Sequence, residues 1–175
     1  MLKKVAFVFI AIVSLITLCS CGAKSVEEIE GKEYDCSQFT ALCPSGWANS
    51  PVMELNNENA LSLNHLRFCK IELEEGAEVG NSLYSNAYVD IGHYNSDTKI
   101  YESRDIYQNV TDVELDVKGT KWKGYTGELA GYKNALIWKD GSGEWQVNIC
   151  LSDNDGDIEL DDFEIQAILA SLKKK

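Results

Sequence analysis

"VELDVKGTKWKGYTGELAGYKNALIWKDGSGEWQVNICLS", residues 113–152, is the stretch that decides the fold. Apolar side chains recur at alternate positions: Val113, Leu115 and Val117, then Leu136 and Trp138, then Trp145, Val147, Ile149 and Leu151. A period of two is that of a strand with one buried face. "KDGSGE", residues 139–144, is a glycine-rich turn between two such runs. The stretch predicts an antiparallel meander of three or four strands.

Upstream, "YDCSQFTALCPSGWANS" (34–50) predicts a strand over Phe39 to Cys43, stopped by Pro44 and turned at Ser45-Gly46. "ALSLNHLRFCKIEL" (60–73) predicts a second, with Leu61, Leu63, Leu66 and Phe68 as its apolar set. Between 74 and 109 the pattern blurs, and "NSLYSNAYVDIGHY" and "DTKIYESRDIYQNV" each read as a short helix or an irregular strand. Downstream, Asp161 or Asp162 caps a final helix, and Ile165, Ile168, Leu169 and Leu172 fall on one face at i, i+3, i+4 and i+7. Lys173 to Lys175 complement its negative end.

At the other terminus, Lys3 and Lys4 precede 14 uncharged residues, Val5 to Leu18. That run is shorter than the about 20 residues a spanning helix needs, and it fits a secretory h-region. Leu18, Ser20 and Cys21 occupy the −3, −1 and +1 positions of a motif that resembles the lipobox of bacterial lipoproteins, with Gly22 following. The alternative register, with Cys19 at +1, puts bulky Leu18 at −1 and fits poorly. The expectation is a signal peptide over 1–20 that carries Cys19 away. Cys21 then becomes a lipidated N-terminus, 21–33 a small, polar, acidic tether, and 34–175 a single α+β domain. Two acyl chains give stable anchoring, which places the chain on the extracytoplasmic face of a cell membrane.

Residues 21–175 carry 14 basic and 28 acidic side chains, a net charge of −14. Such a surface repels phosphate backbones, so nucleic acid is not an expected partner. It also leaves the anchoring to the lipid rather than to headgroup electrostatics. Four cysteines remain: Cys36, Cys43, Cys69 and Cys150. Their spacing matches no zinc pattern, and an even count in an oxidising compartment predicts two disulfides. Three pairings exist. If Cys36 to Cys43 is one extended run, those sulfurs are roughly 20 Å apart, so that pair is excluded. A hairpin of the first two strands would bring Cys69 to Cys36 and leave Cys43 for Cys150.

Catalytic signatures are sparse. There is no Gly-x-Ser-x-Gly, and His65 and His93 stand 28 residues apart with no zinc spacing around them. Both read as ordinary surface or hydrogen-bonded histidines. Trp138 and Trp145 read as core or a half-buried face, Trp47 as packing the sheet's end, and Trp122, between two lysines, as open to exposure, while packing is the ordinary reading for all four. "DNDGDIELDDFE", Asp153 to Glu164, resembles a 12-residue calcium loop. Asp153, Asp155, Asp157, Asp161 and Glu164 stand at positions 1, 3, 5, 9 and 12, but Ile158 takes the place of the turn-making glycine at position 6. The alternative is a strand-to-helix loop whose acids cap the helix. A bound calcium is the only cofactor this sequence suggests.

The order of elements resembles the PsbP-like α/β/α sandwich, whose members include small lipoproteins and Mog-type binding proteins. The resemblance rests on Pro44, Gly46 and Trp47, on Gly124, Tyr125 and Gly127, on "GYKNALIW" and "WQVNI", and on the closing "EIQAILASLK". It implies an antiparallel sheet with helices on both faces, and an accessory or binding role for a protein or small-molecule partner rather than an enzymatic one. The alternatives are a calcium-binding surface module through 153–164 and a hydrolase whose catalytic carboxylates no motif identifies.

Overall fold

The computed structural model describes residues 25–54, 57–70, 87–94, 104–139, 144–151 and 158–175. After a 3₁₀ turn at Val26–Glu28 come β1 (Gly31–Cys36), β2 (Phe39–Pro44), β3 (Trp47–Ser50), β4 (Met53–Glu54), β5 (Asn57–Leu61), β6 (His65–Lys70) and β7 (Tyr88–His93). A second 3₁₀ turn at Arg104–Ile106 leads into β8 (Gln108–Val117), β9 (Thr120–Leu129), β10 (Tyr132–Lys139) and β11 (Trp145–Cys150). The chain closes with α1 (Phe163–Ser171) and β12 (Lys173–Lys174).

The meander forms as its pattern demands. β11, β10, β9 and β8 lie side by side, and β7, β6 and β3 extend the sheet to seven antiparallel strands in the order β3-β6-β7-β11-β10-β9-β8. Two hairpins are closed by two-residue turns, Lys118-Gly119 and Ala130-Gly131, with positive φ at all four residues. That backbone matches the twist of the paired strands. Lys118 takes the position that asparagine or aspartate favours, and the Asp116 carboxylate helps hold the turn by accepting from the Gly119 N–H at 2.8 Å.

A second sheet, β1-β2-β12, packs with α1 on one face of the first. Phe39, Ala41 and Cys43 meet Phe68, Val89, Ile91, Val147 and Ile149 in one core. Strands dominate, and among the described residues α1 is the one α-helix. The structure therefore corrects the expected α+β sandwich with helices on both sheet faces: it is a two-sheet β-sandwich with a short helix in the smaller layer. The physical reason lies in β7. Val89 and Ile91 alternate inward and put Tyr88–His93 in the middle of the sheet, where the blurred stretch had been open to a helical reading. The remaining residues of that stretch up to 103, apart from Ala87 and Tyr94, lie outside the described set.

Other expectations change too. Gly31 already begins β1, three residues before the expected start of the domain at Tyr34. Ser37 and Gln38 turn the chain back, so Cys36 and Cys43 belong to two strands rather than one extended run. Leu61 and Leu63 are exposed, and the strand that contributes Leu66 and Phe68 to the core starts only at His65. β10 is buried on both sides: Ala135 and Ile137 face the inner core, Leu136 the opposite side. Trp122 is buried.

α1 spans nine residues. Isolated helices of that length are marginal, so packing of Ile165, Ile168 and Leu169 holds it, at about 1.5–3 kcal/mol for each buried side chain. Asp162 is its N-cap residue, but the carboxylate accepts from the Glu159 N–H rather than from the helix. The terminal lysines do not extend the helix. Lys173 and Lys174 form β12 on the outer edge of β2, and Ser171 Oγ accepts from the Leu42 N–H farther along that edge. An otherwise open strand edge is thereby covered.

Candidate functional site

Alternation sends every second side chain of the seven-stranded sheet away from the core. On β6 these are His65, Arg67 and Cys69; on β7 Tyr88, Asp90 and Gly92; on β11 Gln146, Asn148 and Cys150. Arg67 and Asp90, paired across β6 and β7, form a half-buried ion pair at 2.6 Å, and the guanidinium lies 4.8 Å from the centre of the Tyr88 ring. Burial opposes the Arg67 charge, but Asp90 more than offsets this and raises its pKa. Arg67 Nε, Asp90 Oδ1 and Asn148 Oδ1 are buried without a hydrogen-bond partner.

At the end of this face, β6 begins and β7 ends, bringing Asn64, His65 and Tyr94 together. Asn64 Nδ2 donates to the His93 carbonyl at 3.0 Å, which turns Asn64 Oδ1 toward His65 Nδ1, also at 3.0 Å. Nδ1 therefore carries the hydrogen, and Nε2 accepts from the Tyr94 hydroxyl at 3.0 Å. Gly92 makes the arrangement fit. A Cβ there would stand 2.8 Å from the Tyr94 ring and 2.9 Å from His65 Nε2.

The constellation has the outline of a nucleophile, a base and an orienting group. Its electrostatics run the other way. Burial, and then Asp90, push the Tyr94 hydroxyl above its ordinary pKa, so the phenol holds its proton instead of becoming a phenolate. The network is suited to fixing the 62–65 turn. That turn presents Leu61 and Leu63, 62 % and 54 % exposed, and Met53, the β4 partner of Leu61, is 42 % exposed. Three of the six large exposed hydrophobic side chains among the described residues thus gather at one tip.

A cavity of about 280 Å³ lies at the opposite end of β6, between the incoming chain at Ile29 and Glu30 and the start of α1. Several of its polar groups are already engaged: Lys70 with Glu164 at 3.2 Å, Asp162 with the Glu159 N–H, and the Glu30 carbonyl with the Ser45 N–H. We therefore place the candidate site at the tip rather than in this cavity.

The structure scatters the other candidates. Cys21 and the calcium candidates Asp153, Asp155 and Asp157 lie outside the described residues. Glu164 is held by Lys70, Asp161 accepts through its carbonyl from Gln166 Nε2, and Ile158 is a core residue whose N–H donates to the Leu151 carbonyl. No group of three His, Cys, Asp or Glu side chains converges among the described residues. The four cysteines are buried and none is in a disulfide. Cys36 and Cys43 face the inner core, whereas Cys69 and Cys150 point to the outer face on either side of Tyr88, so the register separates Cys36 from Cys69 and Cys43 from Cys150. Burial pushes the Cys43 and Cys69 thiols up to about 11.

His93 ends β7 on the inner face and is 3 % exposed, a core residue rather than a surface one. Its ring packs against Trp145 at 4.6 Å and Phe39 at 6.3 Å, and Nδ1 lies 3.0 Å from Gln38 Oε1. The tip cluster is not evident from the sequence because its parts are far apart along the chain; its one local sign is the polar Ser62-x-Asn64-His65 between apolar residues. No protein-family model matches the chain, and no curated protein matches it in sequence.

Proposed function

We propose that this chain is a lipid-anchored, extracytoplasmic binding module that engages a protein partner through the tip formed by Met53, Leu61 and Leu63. The observation that carries this reading is that clustered apolar exposure on a rigid turn, a feature that marks interaction surfaces. Position supports it. β6 runs from His65 at the tip to Lys70 beside the incoming chain, roughly 17 Å at 3.3 Å per residue. A tether attached at Cys21 then leaves the tip pointing away from the bilayer. A protonated Tyr94 supports binding over nucleophilic catalysis at this site.

The anchor and the tip have separate tests. Cys21→Ala should leave the chain unprocessed or release it from the membrane fraction, with Cys19→Ala nearly silent; an unmodified Cys21 in the mature membrane form would end the lipid reading. For the tip, a photo-crosslinking residue replaces Leu61 in the full chain, in native membranes. A discrete adduct is expected there, lost with Leu63→Asp and absent when the same group replaces the exposed Ile106. Equal adducts at both positions, or none, would overturn the tip reading.

A further inference from the structure

We propose that His93 is a proton-operated latch that holds both the C-terminal strand β12 and the tip turn closed. This rests on the tip reading, because it concerns regulation of that same surface.

Gln38 is the hub. Its side-chain oxygen faces His93 Nδ1 at 3.0 Å. Its N–H donates to the Leu63 carbonyl at 3.2 Å, and its carbonyl accepts from the Lys175 N–H at 3.0 Å. The turn is fastened a second time, since the His93 N–H donates to the Asn64 carbonyl at 2.9 Å and Asn64 Nδ2 returns to the His93 carbonyl. One buried imidazole therefore sits where the β1–β2 turn, the Leu63 turn and the chain after β12 meet.

With Gln38 Oε1 opposite it, Nδ1 carries the hydrogen, and Nε2 is a buried nitrogen with no partner. A second proton would have to go on Nε2, where no acceptor stands. The charged groups that act on the ring are Lys174 on β12 and Glu144 just before β11, and these two are paired with each other at 3.3 Å. Gln38, Phe39 and Trp145, the other groups packed on the ring, are uncharged. Lys175, next to Lys174, is held by Asp35 at 2.8 Å.

An imidazolium here has two ways to be accommodated. The ring can swing toward water, which breaks its contact with Gln38. Alternatively, Glu144 can turn to the ring, which strips Lys174 of its carboxylate and leaves two cations facing each other. Either route loosens β12. Burial first, and Lys174 second, already hold the folded imidazole below the ordinary histidine range, with Glu144 working against them. The closed latch is therefore the neutral form, and acid opens it.

The test is amide hydrogen exchange by NMR on the full chain in detergent micelles between pH 7.5 and 5, corrected for intrinsic rates. The Lys175 and Gln38 amides report the latch; those of Ile137 and Ile149 report global opening. Opening of the first pair should increase about tenfold for each unit by which the closed-state pKa of His93 lies below its open-state value, while the second pair stays protected. His93→Gln should make this opening independent of pH. Lys174→Met, which leaves the ring untouched, should raise the closed-state pKa of His93, so the opening rises less on acidification and levels off at higher pH. A flat profile in the wild type, an unchanged profile in His93→Gln, or an undiminished rise in Lys174→Met would overturn the latch. No partner is present in this measurement, so its failure leaves the tip reading standing, and failure of the crosslinking leaves the latch standing.

Discussion

Gly124→Ala is expected to cost about 3 kcal/mol or more, at the upper end of single-substitution effects. Gly124 lies in β9, paired with Ile137 of β10 on one side and Val113 of β8 on the other. A Cβ built there lands on the Leu136 carbonyl oxygen, with Ile137 Cα at 2.8 Å. These are backbone atoms in the middle of the sheet, and no rotamer change moves them aside. The β9–β10 ladder would have to separate. Urea denaturation followed by circular dichroism measures the loss, and a cost below about 1 kcal/mol would show that the pairing is not as described. Gly119→Ala is the contrast. Its φ is +78° and nothing lies within 4 Å of the added methyl, so only the left-handed backbone is penalised, at about 1–2 kcal/mol.

Ile158→Ala is expected to cost about 2–5 kcal/mol, the range for truncating a buried isoleucine. Ile158 is 1 % exposed and part of the main core. Its N–H donates to the Leu151 carbonyl at 2.9 Å, so the chain leaves the core at Leu151 and re-enters it at Ile158. The calcium-loop pattern makes the same residue an obstacle whose change to glycine should tighten metal binding. The structure makes it an anchor, so both Ile158→Ala and Ile158→Gly should lower the urea midpoint, with or without millimolar calcium. A glycine variant that is stabilised, or that gains calcium affinity by calorimetry, would reverse this conclusion.

His93 gives the pH dependence a sign. Its folded-state pKa is depressed, so below the ordinary value of 6.5 the unfolded chain binds more protons than the folded one. This contribution to stability is complete above about 6.5 and is lost as pH falls toward the folded-state pKa.

What was legible in the sequence was whatever local periodicity controls. The β8–β11 meander follows from alternation interrupted by turn residues, because a strand with one buried face must repeat every second position. The apolar stripe Ile165, Ile168 and Leu169 likewise specified α1 before any partner was known. Where both faces are covered, the signal fails: β10 buries Ala135 and Ile137 as well as Leu136, so Leu136 and Trp138 read as the core set while Ala135 and Ile137 fill it. The Ser37-Gln38 turn carries neither glycine nor asparagine, and its closure depends on Leu63, His93 and Lys175, all distant in the chain.

The sequence by itself determined an antiparallel β-rich core, a final helix and a strongly acidic surface, since each depends on residue type and spacing within a few positions. The tertiary structure alone decided that Lys173 and Lys174 form a strand, that Leu61 and Leu63 stay in water, and that Asn64, His65 and Tyr94 form one network. Those outcomes depend on which strand lies beside which. Register between β6 and β7 brings together side chains 29 residues apart, and a ladder of that separation leaves no trace in local composition because its hydrogen bonds are made by the backbone.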